Sequence, residues 1–123
     1  MRRKYLDDLP FTNRPDLWNS NDGRQDEWKQ QRDTYGFDER EIWSMDLTFF
    51  CWLYERLKFY KEHASFDLNY HQIDYKGVIY TQGKLIDEMI KLLENYFNEP
   101  SKYDREVDEV AFMWVAIMPL MWT

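Results

Sequence analysis

Residues 38–62 read DEREIWSMDLTFFCWLYERLKFYKE, and this stretch decides the fold class of the chain. It opens with Asp38 and Glu41, whose spacing matches the capping box of a helix N-terminus. Apolar side chains then recur at steps of three and four residues, the period of one helix face: Ile42, Met45, Phe49, Leu53 and Leu57. Three aromatic residues widen that face: Trp52, Phe59 and Tyr60. The pattern predicts one long helix over residues 39–62.

Two further helical patterns follow towards the C-terminus. The first covers residues 82–98 and ends before Pro100, because a proline disfavours helical backbone in the residue that precedes it. The second begins at Ser101 and runs to Pro119, which distorts or stops its last turn. Residues 64–81 show no helical period. Two short runs around Lys76-Gly77 suit a small β-hairpin there, and an irregular loop is the alternative.

The N-terminal part of the chain, residues 1–37, has a different character. Pro10 and Pro15 interrupt any period, and only a short helix at about residues 25–34, closed by Gly36, is predicted. We expect this arm to dock on the helical body, because it carries aromatic side chains that water disfavours. These aromatic residues are Tyr5, Phe11, Trp18, Trp28 and Tyr35.

The predicted fold class is mainly α, with a three-helix core, an aromatic-rich N-terminal arm and a small hairpin. A length of 123 residues suits a single domain, in which residues 1–37 form the arm and residues 38–123 the helical body. The formal net charge of −7 disfavours direct binding to nucleic acid. One cysteine excludes an internal disulfide and suits a reducing cytoplasm. The sequence contains no apolar stretch long enough to span a membrane.

The predicted long helix carries one candidate ligand-binding face. Asp46 and Arg56 border its apolar stripe, roughly 80° apart around the axis and about 15 Å apart along it. Tyr60 falls between them and Trp43 lies beyond Asp46. A carboxylate, a guanidinium and aromatic rings suit a planar polar ligand such as a nucleotide. The alternative is that Asp46 and Arg56 form structural ion pairs.

The start of the third predicted helix is acidic, with Asp104, Glu106, Asp108 and Glu109. These carboxylates are candidates for binding a basic partner. They would imitate the phosphates of a nucleic acid and so occupy the groove in which the partner binds them. The alternative is a solvated helix face. Residues 111–122 are apolar nearly all round, which is typical of a helix covered by a partner, and a homodimer is the commonest form of such cover.

No residue pattern requires catalysis, so we expect no enzyme activity and no cofactor. His63, Asp67 and His71 could lie on one side of a helix, but residues 65–75 do not look helical, so no metal site is predicted. Cys51 has no evident base to activate its thiol. The phosphate-binding glycine motifs and the nucleophile elbow are absent from the sequence.

Residues 36–48, which read GFDEREIWSMDLT, are followed at residues 56–62 by RLKFYKE. This combination resembles small uncharacterised proteins of tailed phages, which carry the pattern G-[FY]-x-[DE]-R-[DE]-x-W-x-[LM]-D-x-[TY] and then R-L-K-x-[FY]-K-E. Residues 86–90, IDEMI, resemble the L-D-x-M-I core of their second helix, with Ile86 in place of the leucine. The chain departs from them in its hairpin-like connector. The resemblance implies a phage origin and action inside a bacterial host.

Two functions from different classes follow. The first is a non-enzymatic phage protein of the anti-defence type, which binds and inhibits a host or bacterial-defence protein in the host cytoplasm. The second is a small-molecule binder that sequesters a nucleotide signal through Trp43, Asp46, Arg56 and Tyr60.

Overall fold

The computed structural model describes residues 24–43 and 45–122. These residues form six α-helices, one two-stranded sheet and a final 3₁₀ turn. In chain order the elements are α1 (Gln25–Tyr35), α2 (Arg40–Trp43), α3 (Met45–His63), β1 (Gln72–Tyr75), β2 (Val78–Thr81), α4 (Gln82–Asn98), α5 (Pro100–Tyr103), α6 (Asp108–Ile117) and the 3₁₀ turn Met118–Leu120. The predicted fold class, mainly α with a small hairpin, is confirmed.

Contacts divide the chain into two compact units, residues 1–55 and 56–123. The prediction of a single domain over residues 1–123 stays a prediction. Of the arm's aromatic residues, Tyr5, Phe11 and Trp18 lie outside the described residues. Trp28 is fully buried in the first unit, whereas Tyr35 is exposed and its ring lies 6.4 Å from the Phe37 ring, centroid to centroid.

In the first unit, α1 ends at Gly36, close to the predicted position. Gly36 has a φ of 85°, and its backbone N–H donates to the Arg32 carbonyl at 2.9 Å. Glycine adopts this left-handed conformation without steric penalty, so it closes the helix and redirects the chain towards α2.

The helix predicted over residues 39–62 is found as two helices, α2 and α3. The Thr48 hydroxyl donates to the Glu41 carbonyl at 2.9 Å. The described residues thus form a helix on each side of residue 44 where one continuous helix is predicted, and residue 44 itself lies outside the described residues.

The second unit contains the hairpin, which is antiparallel and pairs Gln72 with Thr81 and Tyr75 with Val78. Its turn residues both have positive φ, 51° at Lys76 and 82° at Gly77, as the two-residue turn of a tight hairpin requires. The hairpin alternative for residues 64–81 is thus the correct one.

Helix α4 lies at the centre of the second unit and packs against α5, α6 and β2. Its bounds agree with the prediction, and the Thr81 hydroxyl caps it by accepting from the Lys84 N–H at 3.2 Å. The apolar side chains that it shares with its neighbours in this core are Leu85, Ile86, Met89, Leu93, Phe97, Val107, Val110, Met113 and Ile117.

The predicted third helix is interrupted, so that part of the prediction is wrong. Between α5 and α6, the N–H groups of Asp108 and Glu109 donate to carbonyls three residues earlier, at 3.2 and 3.1 Å. These tighter bonds replace the regular helical pattern over residues 104–107. Pro119 lies in the 3₁₀ turn that ends α6, as expected of a proline. Within residues 24–43 and 45–122, none of the helices has the length and apolarity that crossing a membrane requires.

Candidate functional site

The four predicted ligand-binding residues are divided between the two units. Trp43 and Asp46 belong to the first unit, and both are exposed. The Trp43 ring meets the Trp28 ring edge-on, with centroids 6.2 Å apart, and the Arg24 guanidinium lies 5.6 Å from the Trp43 centroid. Trp43 is therefore part of an aromatic and cationic cluster at the end of α2.

Arg56 and Tyr60 belong to the second unit, and both are half-buried. The Tyr60 hydroxyl donates to the Trp122 carbonyl at 2.7 Å and accepts from the Gln82 amide at 3.3 Å. These bonds hold the C-terminal segment. The Tyr60 hydroxyl is thus engaged by the protein's own backbone and side chains rather than directed at a ligand.

Gln82 is the polar centre of this second cluster. Its side chain is fully buried, and its amide nitrogen also donates to the Leu120 carbonyl at 3.0 Å. The amide oxygen of Gln82 is buried and has no hydrogen-bond partner within the described part of the chain. A buried acceptor without a donor is destabilising, whereas the bonds of the amide nitrogen stabilise this cluster.

The charged residues of the 36–43 stretch form a buried network in the first unit. Asp38 accepts from the guanidinium of Arg40 at 3.1 and 2.9 Å and from that of Arg32 at 2.7 Å. The Arg40 N–H donates to the same carboxylate at 3.0 Å. Burial opposes ionisation of Asp38, but the hydrogen bonds from Arg40 and Arg32 and the charge of Arg40 outweigh it and hold the pKa of Asp38 below its ordinary value.

Glu41 lies beside this network and is also buried. Its carboxylate accepts from the Asp38 N–H at 3.2 Å, which is the half of the predicted capping box that the structure contains. Burial raises the pKa of Glu41 to about 7, and the nearby Asp38 carboxylate adds to the rise. Glu41 therefore titrates near neutral pH.

A third acidic residue, Glu39, ties α1 to this network. It accepts from the Trp28 indole N–H at 3.1 Å, and its backbone N–H donates to the Gln31 side chain at 2.7 Å. The Arg40 guanidinium lies over the Trp28 ring, 4.2 Å from its centroid. Residues 38–41 thus include side chains that join α1 to α2.

Sequence reasoning predicts the capping role of Asp38 and Glu41 but misses their ion pairs. Arg32 lies six residues before Asp38, and only the reversal at Gly36 brings the two side chains together. The available signal was the density of charge at residues 38–41, which read DERE, directly before an apolar helical pattern.

The four acidic residues that open the third predicted helix have different surroundings. Asp104, Glu106 and Asp108 are exposed. Glu109 instead accepts from the Tyr75 hydroxyl and from the Lys76 ammonium, at 2.8 and 3.0 Å for the latter. These contacts lower the pKa of Glu109, with Lys76 as the largest cause, and fasten the hairpin to α6. Glu109 is therefore a structural residue, and the other three form what we call the acidic turn.

An apolar surface begins immediately after the acidic turn. Helix α6 buries Val110, Met113 and Ile117 on one side. On the opposite side Phe112 and Val115 are 61% and 67% exposed. Met118 and Trp122 follow in the C-terminal segment at 48% and 62%. We call Phe112, Val115 and Met118 the outer face; the Trp122 ring packs on the Phe66 ring instead, with the ring centroids 5.2 Å apart.

The remaining sequence candidates have ordinary surroundings. The His63 ring stacks on Phe59 at 4.0 Å, and its Nδ1 lies 2.9 Å from the Phe59 carbonyl. Cys51 is fully buried. Among the described residues, no group of three or more His, Cys, Asp or Glu side chains is placed to hold a metal ion.

Fold and surface together define a small, mainly helical protein that exposes an acidic turn beside an apolar face. Comparison with protein-family models, with curated proteins and with solved structures finds no match to the chain. Its function is therefore inferred from the side chains themselves.

Proposed function

We propose that this chain is a phage-encoded, non-enzymatic accessory protein that binds and inhibits a host or bacterial-defence protein in the cytoplasm of the infected bacterium. The observation that supports this function is the acidic turn. Asp104, Glu106 and Asp108 lie exposed within five residues, and only Arg105 in that stretch is basic. The acidic turn therefore suits a partner with a basic surface.

The net charge of the chain also supports a partner with a basic surface. All of the net charge of −7 is carried by residues 37–123, since residues 1–36 are neutral. An acidic protein is steered towards a basic surface, and salt weakens that steering. We therefore expect the partner to associate faster at low ionic strength.

The test compares two variants that change the net charge equally. Asp104→Lys with Asp108→Lys alters the acidic turn, whereas Asp26→Lys with Glu62→Lys alters exposed residues of α1 and α3. Cross-linking in infected cells identifies the partner, and purified partner is then used to measure association rates and inhibition. We expect the turn variant to associate about tenfold more slowly and to inhibit poorly, and the control to behave as wild type.

Two results would overturn this function. One is a turn variant that associates and inhibits as well as the wild type. The other is the absence of any partner whose activity the purified protein lowers. The nucleotide-binding alternative is tested separately by native mass spectrometry, where a stoichiometric nucleotide mass lost in Arg56→Ala would support it. The contacts described for Tyr60 give that alternative no support.

A further inference from the structure

Helix α6 is apolar on two opposite sides, and only one of them is covered within the second unit. Its buried side chains, Val110, Met113 and Ile117, pack on the unit's own core. Phe112 and Val115 are exposed on the other side, where the Lys76 ammonium lies 5.7 Å from the Phe112 ring centroid. A helix that is apolar all round is normally covered on all sides, so the outer face has the composition of an interface.

We propose that the outer face binds a second copy of this chain, so that two α6 helices pack antiparallel about a twofold axis near Val115. This inference goes beyond the proposed function, because it uses different residues and needs no host protein. A closed twofold dimer joins the same patch on both copies, which requires the patch to be complementary to itself.

The distribution of charge favours the antiparallel arrangement of two copies. All three carboxylates of the acidic turn lie on the N-terminal side of the apolar residues. In an antiparallel pair the two acidic turns lie at opposite ends, and apolar side chains meet at the centre. A parallel pair would place six carboxylates together, which like-charge repulsion disfavours.

The order of side-chain sizes along α6 also suits a second copy. Ala111 is small and exposed, and it lies one turn before Val115 on the same side of the helix. Small side chains at the centre allow two helix backbones to approach, while the larger Phe112 and Met118 fit beside them. The pattern of small residues flanked by large ones is therefore complementary to its own antiparallel image.

The size of the outer face agrees with a weak but specific dimer. Given their exposure, its three side chains and the exposed Ala111 beside them offer on the order of 300 Å² of apolar surface per copy. Because interfaces are about 60% apolar, this area corresponds to roughly 1,000 Å² buried in total, about the least that a specific interface needs. We expect a dissociation constant on the order of 10 μM.

Sedimentation velocity over about 1–200 μM tests the dimer directly with the full chain. The wild type is expected to pass from monomer to dimer over this range. Val115→Asp, which would place two carboxylates beside the twofold axis, is expected to weaken association at least ~30-fold. The control is Tyr70→Asp, because Tyr70 is 78% exposed in the same unit and lies outside the outer face. Circular dichroism checks that both variants keep the helical content of the wild type.

A disulfide test then locates the interface. The only natural cysteine, Cys51, is fully buried, so an engineered thiol is the one accessible to oxidant. Val115→Cys is expected to form a covalent dimer readily under mild oxidation, whereas Tyr70→Cys stays mostly monomeric. A wild type that remains monomeric at 200 μM overturns the proposal, as does a dimer that Val115→Asp leaves intact. Neither result bears on the acidic turn, so the proposed function is judged independently.

Discussion

Asp38 and Arg40 lie two residues apart and join side by side, with the guanidinium Nε and Nη2 donating to the two carboxylate oxygens at 3.1 and 2.9 Å. Both side chains are buried, and Arg32 adds a second cation to the same carboxylate. Planar two-point pairing of this kind is strong and geometrically specific. It explains why a short charged stretch lies inside the first unit.

Replacing Asp38 by Asn should destabilise the protein strongly. The amide cannot neutralise Arg40 and Arg32, so a positive charge is left buried without compensation, at a cost of about 3–5 kcal/mol. Urea unfolding followed by tryptophan fluorescence measures the change. The matched control, Asp33→Asn on the exposed side of α1, should change the free energy of unfolding by less than about 0.5 kcal/mol. A loss below about 1 kcal/mol in Asp38→Asn would contradict a structural role for the network.

Glu41 should make the protein less stable at neutral pH than at mildly acidic pH. Its pKa is about 7 in the folded chain against an ordinary value of 4.5, so folding favours the protonated form. The stabilisation is complete below about pH 4.5 and is lost as pH rises towards 7, by roughly 3 kcal/mol at most. Unfolding free energies at pH 5 and pH 8 measure it.

The control for this pH dependence is Glu41→Gln, which keeps an acceptor for the Asp38 N–H but has no titrating group. Its stability should be nearly equal at pH 5 and pH 8. Asp38 acts in the opposite sense and in a separate range, because its lowered pKa removes stability only as pH falls below about 4. An unchanged slope in Glu41→Gln would show that another group titrates.

Gly36 should tolerate asparagine better than alanine. A Cβ at this position would meet no atom within 4 Å, so any penalty comes from the φ of 85° and not from a clash. Left-handed backbone costs an ordinary residue about 1–2 kcal/mol, and among residues other than glycine this cost is lowest for asparagine. Urea unfolding should therefore rank glycine first, then Gly36→Asn, then Gly36→Ala. Equal stability of the alanine and asparagine variants would contradict this explanation.

Tyr60→Phe should destabilise the second unit by about 1 kcal/mol, because it removes the bond to the Trp122 carbonyl and the acceptor for Gln82. Thermal unfolding measures the loss. Tyr70→Phe, at an exposed position, is the matched control and should leave the Tm unchanged. Equal Tm values for the two variants would show that the Tyr60 hydroxyl does not stabilise the fold. That result would favour a role for this hydroxyl in a ligand site.

Local sequence signals predicted much of this fold, and long-range contacts explain what they missed. The C-terminal end of α4 follows from Pro100, which acts within one helical turn of it. The ion pair of Arg32 with Asp38 depends on the chain reversal at Gly36, and the bond from Tyr75 to Glu109 joins residues 34 positions apart. Spacing along the sequence carries no information on such pairs. The same limit applies to the candidate face on the long helix, since the contacts of Tyr60 come from residues 82 and 120–122.

At the turn of the hairpin, the backbone conformation of Lys76 and its ion pair have opposite effects on stability. Lys76 has a φ of 51°, which asparagine adopts more readily than lysine, yet its ammonium pairs with both oxygens of Glu109. Lys76→Asn should therefore leave the Tm of the wild type nearly unchanged, because relief of the backbone offsets the lost pair. In a Glu109→Gln background, which keeps an acceptor for Tyr75 but has no charge, the same change should raise the Tm by a few degrees. Equal effects of Lys76→Asn in the two backgrounds would mean that Glu109 does not hold the turn through Lys76.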